Sequence, residues 1–195
     1  MRYLSKILLL LSVVLGQQVG MAQTCNDAIN PTTPDERFID NGDGTVSDKH
    51  TGLIWMRCSL GQTWNGTTCT GDAVEYTWQQ GLQEAEIYNF AGSSAWRLPN
   101  VNELKSLVDE VCYDPAINIV VFPATSASYF WTSSPSLYRP DNAMFVHFRY
   151  GGVNATYKSQ SYNVRLVRPG AADEDSDGIA DEIDNCPQHA NANQT

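Results

Sequence analysis

The sequence between residues 96 and 111 reads Trp96-Arg-Leu-Pro-Asn-Val-Asn-Glu-Leu-Lys-Ser-Leu-Val-Asp-Glu-Val111. Four apolar residues at spacings i, i+3, i+4 and i+7 form one face of an amphipathic helix: Leu104, Leu107, Val108 and Val111. Asn100 and Glu103 have the spacing of a capping box, which predicts that the helix begins directly after Pro99. This stretch therefore predicts one core helix.

The segments on either side of this helix lead to a prediction of fold class. An earlier helix is predicted over roughly residues 73–89. Downstream, residues 129–131, the alternating residues 143–150 and residues 162–168 are typical of strands. Helices followed by strands indicate an α+β domain.

Tight turns are predicted near the start of this domain. Asn41-Gly42 and Asp43-Gly44 lie between short extended segments, which is a typical hairpin signal. A second cation site at Asp40, Asp43 and Asp48 is the alternative, but their spacing does not follow a calcium-loop register. A hairpin turn is the preferred interpretation.

Landmarks along the chain resemble one known family. They are, in order, Arg37-Phe, Asp40-Asn-Gly-Asp-Gly-Thr-Val46, Thr51-Gly-Leu-Ile-Trp55, Trp96-Arg-Leu-Pro99 with Glu103-Leu, Phe122-Pro, Phe130-Trp-Thr-Ser-Ser134 and Val164-Arg-Leu-Val-Arg168. Together they resemble the bacterial Lcl C-terminal domain family over about residues 37–168, and two of them are also similar to formylglycine-generating enzymes. The resemblance implies a C-type-lectin-like fold with two helices, a small twisted antiparallel sheet and ligand-binding loops. It also implies an exported or surface protein associated with adhesion and glycan binding.

The tail has the pattern of a calcium loop. It reads Asp173-Glu-Asp-Ser-Asp-Gly-Ile-Ala-Asp-Glu-Ile-Asp-Asn-Cys-Pro187, with acidic residues at loop positions 1, 3, 5, 9 and 12 and glycine at position 6. The segment resembles a thrombospondin type 3 repeat. We expect Ca²⁺ to be bound by five carboxylates and one backbone carbonyl: Asp173, Asp175, Asp177, Asp181 and Asp184, with the carbonyl of Ile179. The alternative is a solvated acidic tail.

The N-terminus has the features of a secretory signal peptide. Arg2 and Lys6 precede an apolar run at residues 7–15, and small residues end at Ala22, where cleavage is expected. The run is too short for a lasting membrane anchor. We expect four parts, a signal peptide (1–22), an N-terminal arm (23–36), a lectin-like domain (37–169) and a calcium-binding tail (170–195), in a secreted, periplasmic or cell-surface protein.

The five cysteines predict a disulfide framework for an exported protein. Cys58 and Cys69 flank a turn-rich loop that a local bridge would close. Cys25 and Cys112 are then the natural long-range pair. Cys186 remains, and we predict either that it keeps its thiol or that it links two chains into a dimer or other oligomer.

Charge and the missing catalytic residues exclude other classes of function. The net charge is −10, and seven of the 22 acidic residues lie between Gly170 and Thr195. This balance argues against a nucleic-acid partner, because phosphate binding needs a basic face.

No cysteine lies between Tyr113 and Asn185, although the oxidase-like relatives depend on late cysteines. We therefore predict that the protein is not an enzyme.

The late segment is the predicted ligand-binding region, because it combines tyrosines with adaptable polar side chains. Its candidate residues are Tyr138, Arg139, Asn142, His147, Arg149, Asn154, Tyr157, Tyr162 and Asn163. The alternative is the ordinary solvent-facing side of a half-exposed sheet. The preferred hypothesis is an exported calcium-binding adhesion protein that recognises a glycan or protein partner. The alternatives are a structural envelope component and an enzyme of the formylglycine-generating type.

Overall fold

The structure is a computed structural model that describes residues 23–170 together with Cys186 and His189. The predicted signal peptide lies outside these described residues. The predicted calcium ligands also lie outside them: Asp173, Asp175, Asp177, Ile179, Asp181 and Asp184. Both hypotheses therefore stay predictions.

The described chain has few helices and several short antiparallel strands, an α+β arrangement. The helical elements are a 3-10 turn at Asp35–Arg37, α1 (Trp78–Ile87) and α2 (Val101–Lys105). The strands are β1 (Thr24–Cys25), β2 (Phe38–Asp40), β3 (Thr45–Asp48), β4 (Leu53–Met56), β5 (Thr63–Trp64), β6 (Cys69–Thr70), β7 (Cys112–Tyr113), β8 (Tyr129–Pro135), β9 (Asn142–His147), β10 (Gly152–Tyr157) and β11 (Val167–Pro169).

These strands form two sheets and two ribbons. One sheet has the strand order β11-β4-β3-β2, and the other has the order β10-β9-β8. The ribbons pair β1 with β7 and β5 with β6. The N-terminal strand β1 therefore pairs with β7, and the last strand, β11, lies at the edge of the first sheet.

The predicted hairpin is confirmed between β2 and β3. The Asp43 carboxylate accepts hydrogen bonds from the backbone N–H of Thr45 at 2.9 Å and from its hydroxyl at 2.6 Å. Gly44 has φ of +90°, and a Cβ there would lie 2.9 Å from Cγ of Trp64. Only glycine fits this turn without strain.

Both predicted helices exist, but both are shorter than expected. Helix α1 begins after Thr77, which forms a capping box with Gln80, so residues 73–76 are not helical. Helix α2 begins after Asn100, as the capping box predicts, but ends at Lys105. The Ser106 hydroxyl donates to the Glu103 carbonyl at 2.7 Å, and the following residues form turns.

The apolar face predicted for the second helix is buried even though the helix stops early. Leu104, Leu107 and Val108 belong to the core. Val108 lies beyond the end of the helix and forms a β-bridge with Ile117. Val111 is only half-buried. The apolar spacing therefore identified three of its four core residues correctly and the helix length incorrectly.

Two hydrophobic clusters lie on either side of the β8–β10 sheet. Phe130, Val146 and Phe148 point into one cluster. Trp131 and Phe145 point into the other, which packs on α1 through Ala85. The sheet is consequently fixed from both faces, so side chains on its exposed parts are held on a rigid base.

The last predicted strand is also shorter than residues 162–168. Only Val167–Pro169 forms a ladder, while Tyr162 and Asn163 make isolated bridges to Tyr76 and Phe130. Within this segment the Arg165 guanidinium is completely buried. It donates to the carbonyls of Met56 and Arg57 and, at 2.7 Å, to the Thr125 hydroxyl, and burial lowers its pKa to about 9.

Both predicted disulfides are present. Cys25 is bonded to Cys112, which joins β1 to β7, and Cys58 is bonded to Cys69 across the β5–β6 ribbon. The first bridge attaches the N-terminal arm to the domain. Cys186 is exposed.

Candidate ligand-binding surface

The strand register of the β8–β10 sheet decides which late residues share a surface. His147 lies opposite Tyr129 on one side and Gly152 on the other, and Phe145 lies opposite Asn154. Directly paired residues of antiparallel strands point to the same face. His147, Asn154 and Tyr129 therefore lie on one face of the sheet.

Stacked rings form the centre of this face. The Tyr129 ring lies 4.2 Å from the His147 ring and 4.8 Å from the Tyr162 ring, centroid to centroid, with both pairs stacked. The Tyr150 ring meets His147 edge-on at 5.8 Å. We call Tyr129, His147, Tyr150, Asn154 and Tyr162 the aromatic patch.

Two buried rings on the same face of the sheet support the aromatic patch from the side. Phe145 meets Tyr129 edge-on at 5.2 Å and Tyr162 at 5.3 Å. Trp131 lies 4.7 Å from Tyr162 and is itself fixed by a bond from its indole N–H to the Tyr76 carbonyl at 2.8 Å. Because these supporting rings belong to the core, the patch is preorganised.

The surroundings of the aromatic patch favour the neutral forms of His147 and Tyr162. Burial and the nearby Arg149 guanidinium lower the pKa of His147, although the Asp114 carboxylate opposes this shift. Burial raises the pKa of the Tyr162 hydroxyl, against a hydrogen bond with Thr156. Such a surface offers aromatic faces, hydroxyl groups, an imidazole and an amide, which is chemistry for a polar, uncharged ligand.

The remaining predicted ligand residues lie elsewhere. Asn142 and Tyr157 are cross-strand partners on the opposite face of the sheet. Arg149 forms an ion pair with Asp114, with Nε 2.9 Å from Oδ1. The structure therefore brings together His147, Asn154 and Tyr162, and it does not bring the whole set into one surface.

Tyr138 and Arg139 lie at the tip of the loop between β8 and β9. Tyr138 is 94% exposed, and its neighbour Leu137, which the sequence did not single out, is 93% exposed. The loop is braced at its base, where the Lys158 ammonium donates to the Pro140 carbonyl at 2.7 Å. Asn163 is buried, and its carbonyl accepts from the Trp131 backbone N–H at 3.0 Å.

The alternative cation site at the β2–β3 turn is not assembled. Asp48 accepts two hydrogen bonds from Arg37, and Asp40 is paired with Arg57 at 2.6 Å. Asp43 caps its own turn. Within residues 23–170 no group of acidic, histidine or cysteine side chains has the arrangement of a metal site.

A family model describes most of this domain. The model of the Lcl C-terminal domain matches residues 44–168, which includes every residue of the aromatic patch. The chain belongs to the Lcl C-terminal domain family. No curated protein matches it.

Membership of the Lcl C-terminal domain family indicates an extracellular or surface protein, and two disulfides fit that setting. No helix among the described residues is long and apolar enough to cross a bilayer. The Lcl C-terminal match begins at β3, whereas β2 pairs with β3 in the same sheet. Structurally, β2 is therefore continuous with the matched domain.

Sequence reasoning missed two members of the aromatic patch, Tyr129 and Tyr150. Tyr129 was assigned to a strand, but its contact with His147 depends on the pairing of β8 with β9. Tyr150 follows β9 in a turn and contacts His147 from there. Only the strand register shows that these residues meet.

Proposed function

We propose that this protein is an exported or surface-located binding protein that recognises a glycan or protein partner through the aromatic patch. The observation that carries the proposal is the continuous stack of Tyr162, Tyr129 and His147 on a sheet packed from both sides. The C-type-lectin-like fold implied by the sequence resemblance is part of this proposal. The same resemblance implies that the late part of the domain carries the ligand contacts.

Binding at the aromatic patch should cost little conformational entropy. Tyrosine and histidine rings offer large contact areas with few rotatable bonds, and here the core already fixes three of them. A partner therefore gains contact area without ordering a flexible surface. Tyr150 (64% exposed) and the exposed Asn154 provide adaptable contacts at the edge.

We also propose that the acidic tail binds Ca²⁺ as a thrombospondin type 3 repeat and stiffens the segment after the domain. Support comes from the ligand register of Asp173, Asp175, Asp177, Asp181 and Asp184, with the Ile179 carbonyl. The protein is further proposed to have no catalytic activity, since residues 113–185 contain no cysteine for an oxidase-like reaction. A structural envelope component remains the second candidate.

Binding to a glycan array and to intact cells tests the patch. Tyr150→Ser combined with Asn154→Ala is expected to weaken binding by about tenfold, because both side chains would contact the partner. Tyr157→Ser is the matched control: Tyr157 is 55% exposed on the opposite face of the same sheet. Thermal stability should change little in all these variants.

Two outcomes would contradict the proposal. One is binding by the patch variant that equals the wild type. The other is an equal loss in Tyr157→Ser. Treatment of the cells with glycosidases or with proteases then decides which class of partner is bound.

A further inference from the structure

A cleft that shares no residue with the aromatic patch lies between the N-terminal arm and residues 109–120. Its volume is about 370 Å³. The acidic residues Asp35, Glu36 and Asp109 lie at its floor and rim. The apolar residues Pro34, Ile119 and Val120 form its walls. We call this the arm cleft. Among the described residues that line it, none is basic.

The carboxylate of Asp109 is the unusual feature of the arm cleft. Asp109 is only 3% exposed and forms no ion pair within residues 23–170. Its Oδ1 atom accepts bonds from the Thr32 N–H at 3.2 Å, from the Thr32 hydroxyl at 3.3 Å and from the Val111 N–H at 3.3 Å. Its Oδ2 atom accepts none from any described residue. Because Oδ2 is not closed off from solvent, it can accept a hydrogen bond from a group that enters the cleft.

The rim of the arm cleft is also acidic, whereas its walls are apolar. Glu36 is exposed, and within the described chain its carboxylate forms no hydrogen bond or ion pair. Ile119 and Val120 are apolar side chains that stay substantially exposed beside it. A cationic group on an aliphatic stem matches this arrangement, because the stem covers the walls while the charge reaches the acids.

The arm cleft is formed before any ligand arrives. The Cys25–Cys112 disulfide holds the arm, and the Gln23 side-chain amide donates to the carbonyls of Pro115 at 2.8 Å and Ile117 at 2.6 Å. Asn118 Nδ2 donates to the Thr33 carbonyl at 2.8 Å. Binding there need not order a loop, which lowers its entropic cost.

We propose that the arm cleft binds the primary ammonium group of a lysine side chain on a partner protein. An arginine guanidinium pairs best with a carboxylate through two parallel bonds, which need both oxygens. Oδ1 of Asp109 is already saturated by three donors, so a single compact ammonium at Oδ2 fits better. The net charge of −10 attracts such a cationic partner at long range. This site is independent of the ligand proposed for the aromatic patch.

Calorimetric and NMR titrations of the full chain with blocked amino acids test the proposal. We expect N-acetyl-lysine methylamide to bind at least threefold more tightly than the arginine analogue. The norleucine analogue, which has the stem without the charge, should not bind. A short peptide with a central lysine should bind at least as tightly as the blocked lysine. Shifted amide signals should map to residues 31–36 and 109–120.

Variants with matched charge changes complete the test. Glu36→Gln and Asp109→Asn should each weaken lysine binding at least threefold, while Asp72→Asn, an exposed acid outside the cleft, should not. Glu36→Gln carries the test if Asp109→Asn does not fold, because the Glu36 carboxylate makes no bond within the described chain. Equal affinity for the lysine and arginine analogues, binding of norleucine, or equal losses in Glu36→Gln and Asp72→Asn would each overturn the proposal. Tighter binding of the free diamine cadaverine than of the lysine peptide would overturn the assignment to a protein partner.

Discussion

The guanidinium of Arg97 donates to both carboxylate oxygens of Glu103, from Nη1 to Oε2 at 2.8 Å and from Nη2 to Oε1 at 2.7 Å. The same Oε2 atom accepts the backbone N–H of Asn100 at 2.6 Å. One carboxylate thus caps α2 and fastens residues 96–99 to it. The bond from Arg97 lowers the pKa of Glu103 and raises that of Arg97 itself.

Glu103→Gln should lower the free energy of unfolding by about 1 kcal/mol at pH 7, because a partly exposed bidentate pair is lost while an acceptor for Asn100 remains. Since the folded state lowers the pKa of Glu103, its contribution is present above the usual value of 4.5 and is lost as the pH falls through the folded pKa. Urea denaturation should therefore show the gap to wild type narrowing in acid. Glu110→Gln, in an exposed pair with Lys105, is the control and should change little. A gap that stays constant with pH would count against this role.

Asp48→Asn should be much more damaging, by about 3 kcal/mol, because the fully buried Asp48 carboxylate is the counter-charge of Arg37 and no water can replace it there. Burial alone would raise the pKa of Asp48, but hydrogen bonds from Arg37 and Thr51 outweigh burial and lower it. Asp40→Asn is the comparison, since the Asp40 carboxylate is more than half exposed, and should cost less than about 1 kcal/mol. Chemical denaturation of both variants measures the difference. Similar losses would show that burial of the Arg37–Asp48 pair does not matter.

Removal of the two disulfides separately should have unequal effects. Replacing Cys25 and Cys112 by serine opens a loop with a sequence separation of 87, compared with 11 for Cys58 and Cys69. In the chain-entropy model the longer loop contributes about 1.8 kcal/mol more to the free energy of unfolding. Thermal unfolding of the two double variants tests this order, and a larger loss from the short loop would reverse it.

The stability of the domain should fall as the pH decreases through about 6.5, the usual pKa of histidine, because burial and Arg149 lower the pKa of His147. The unfolded chain then takes up a proton before the folded domain does, which favours unfolding. In His147→Gln this part of the pH dependence should be absent. Denaturation midpoints between pH 5 and 8 test the prediction, and identical profiles for variant and wild type would contradict it.

Calcium should bind to the tail in the range of about 0.1–1 mM that is common for extracellular modules. Calorimetry of the full chain is expected to show uptake of Ca²⁺ and little uptake of Mg²⁺, which prefers a smaller octahedral site. Asp173→Ala combined with Asp177→Ala should abolish the uptake without changing the unfolding of residues 37–168. Uptake that is unchanged in this double variant would disprove the ligand assignment.

Local sequence signals predicted the parts of the fold that depend on neighbouring residues. The capping box of Asn100 and Glu103, the Asp43-Gly44 turn and the short disulfide loop were all identified correctly. The end of α2 was predicted incorrectly. Leu104 and Val108 both reach the core, although the helix ends at Lys105 and does not continue to Val111. The spacing of apolar residues predicts which side chains are buried, and it predicts less well where a helix ends.

The Cys25–Cys112 bridge was predicted by cysteine pairing, but two other features that depend on contacts between distant segments were not predictable. Arg165 lies within a predicted strand, yet it is completely buried because carbonyls of Met56 and Arg57 accept its hydrogen bonds. The aromatic patch requires the register that places Tyr129 opposite His147. No pattern in a single strand contains that information.

The bond between Cys25 and Cys112 also determines how the domain would carry a mechanical load. Tension applied between Gln23 and Gly170 passes from Cys25 directly to Cys112, so residues 26–111 lie outside the covalent path of the load. These residues, including both helices, cannot be pulled out while the bond is oxidised, which withholds about 300 Å of contour length from stretching. The β8–β10 sheet lies on the loaded part of the chain. Force along the chain would therefore act on the aromatic patch and on residues 112–120 of the arm cleft, while the residues enclosed by the disulfide stay joined at their ends.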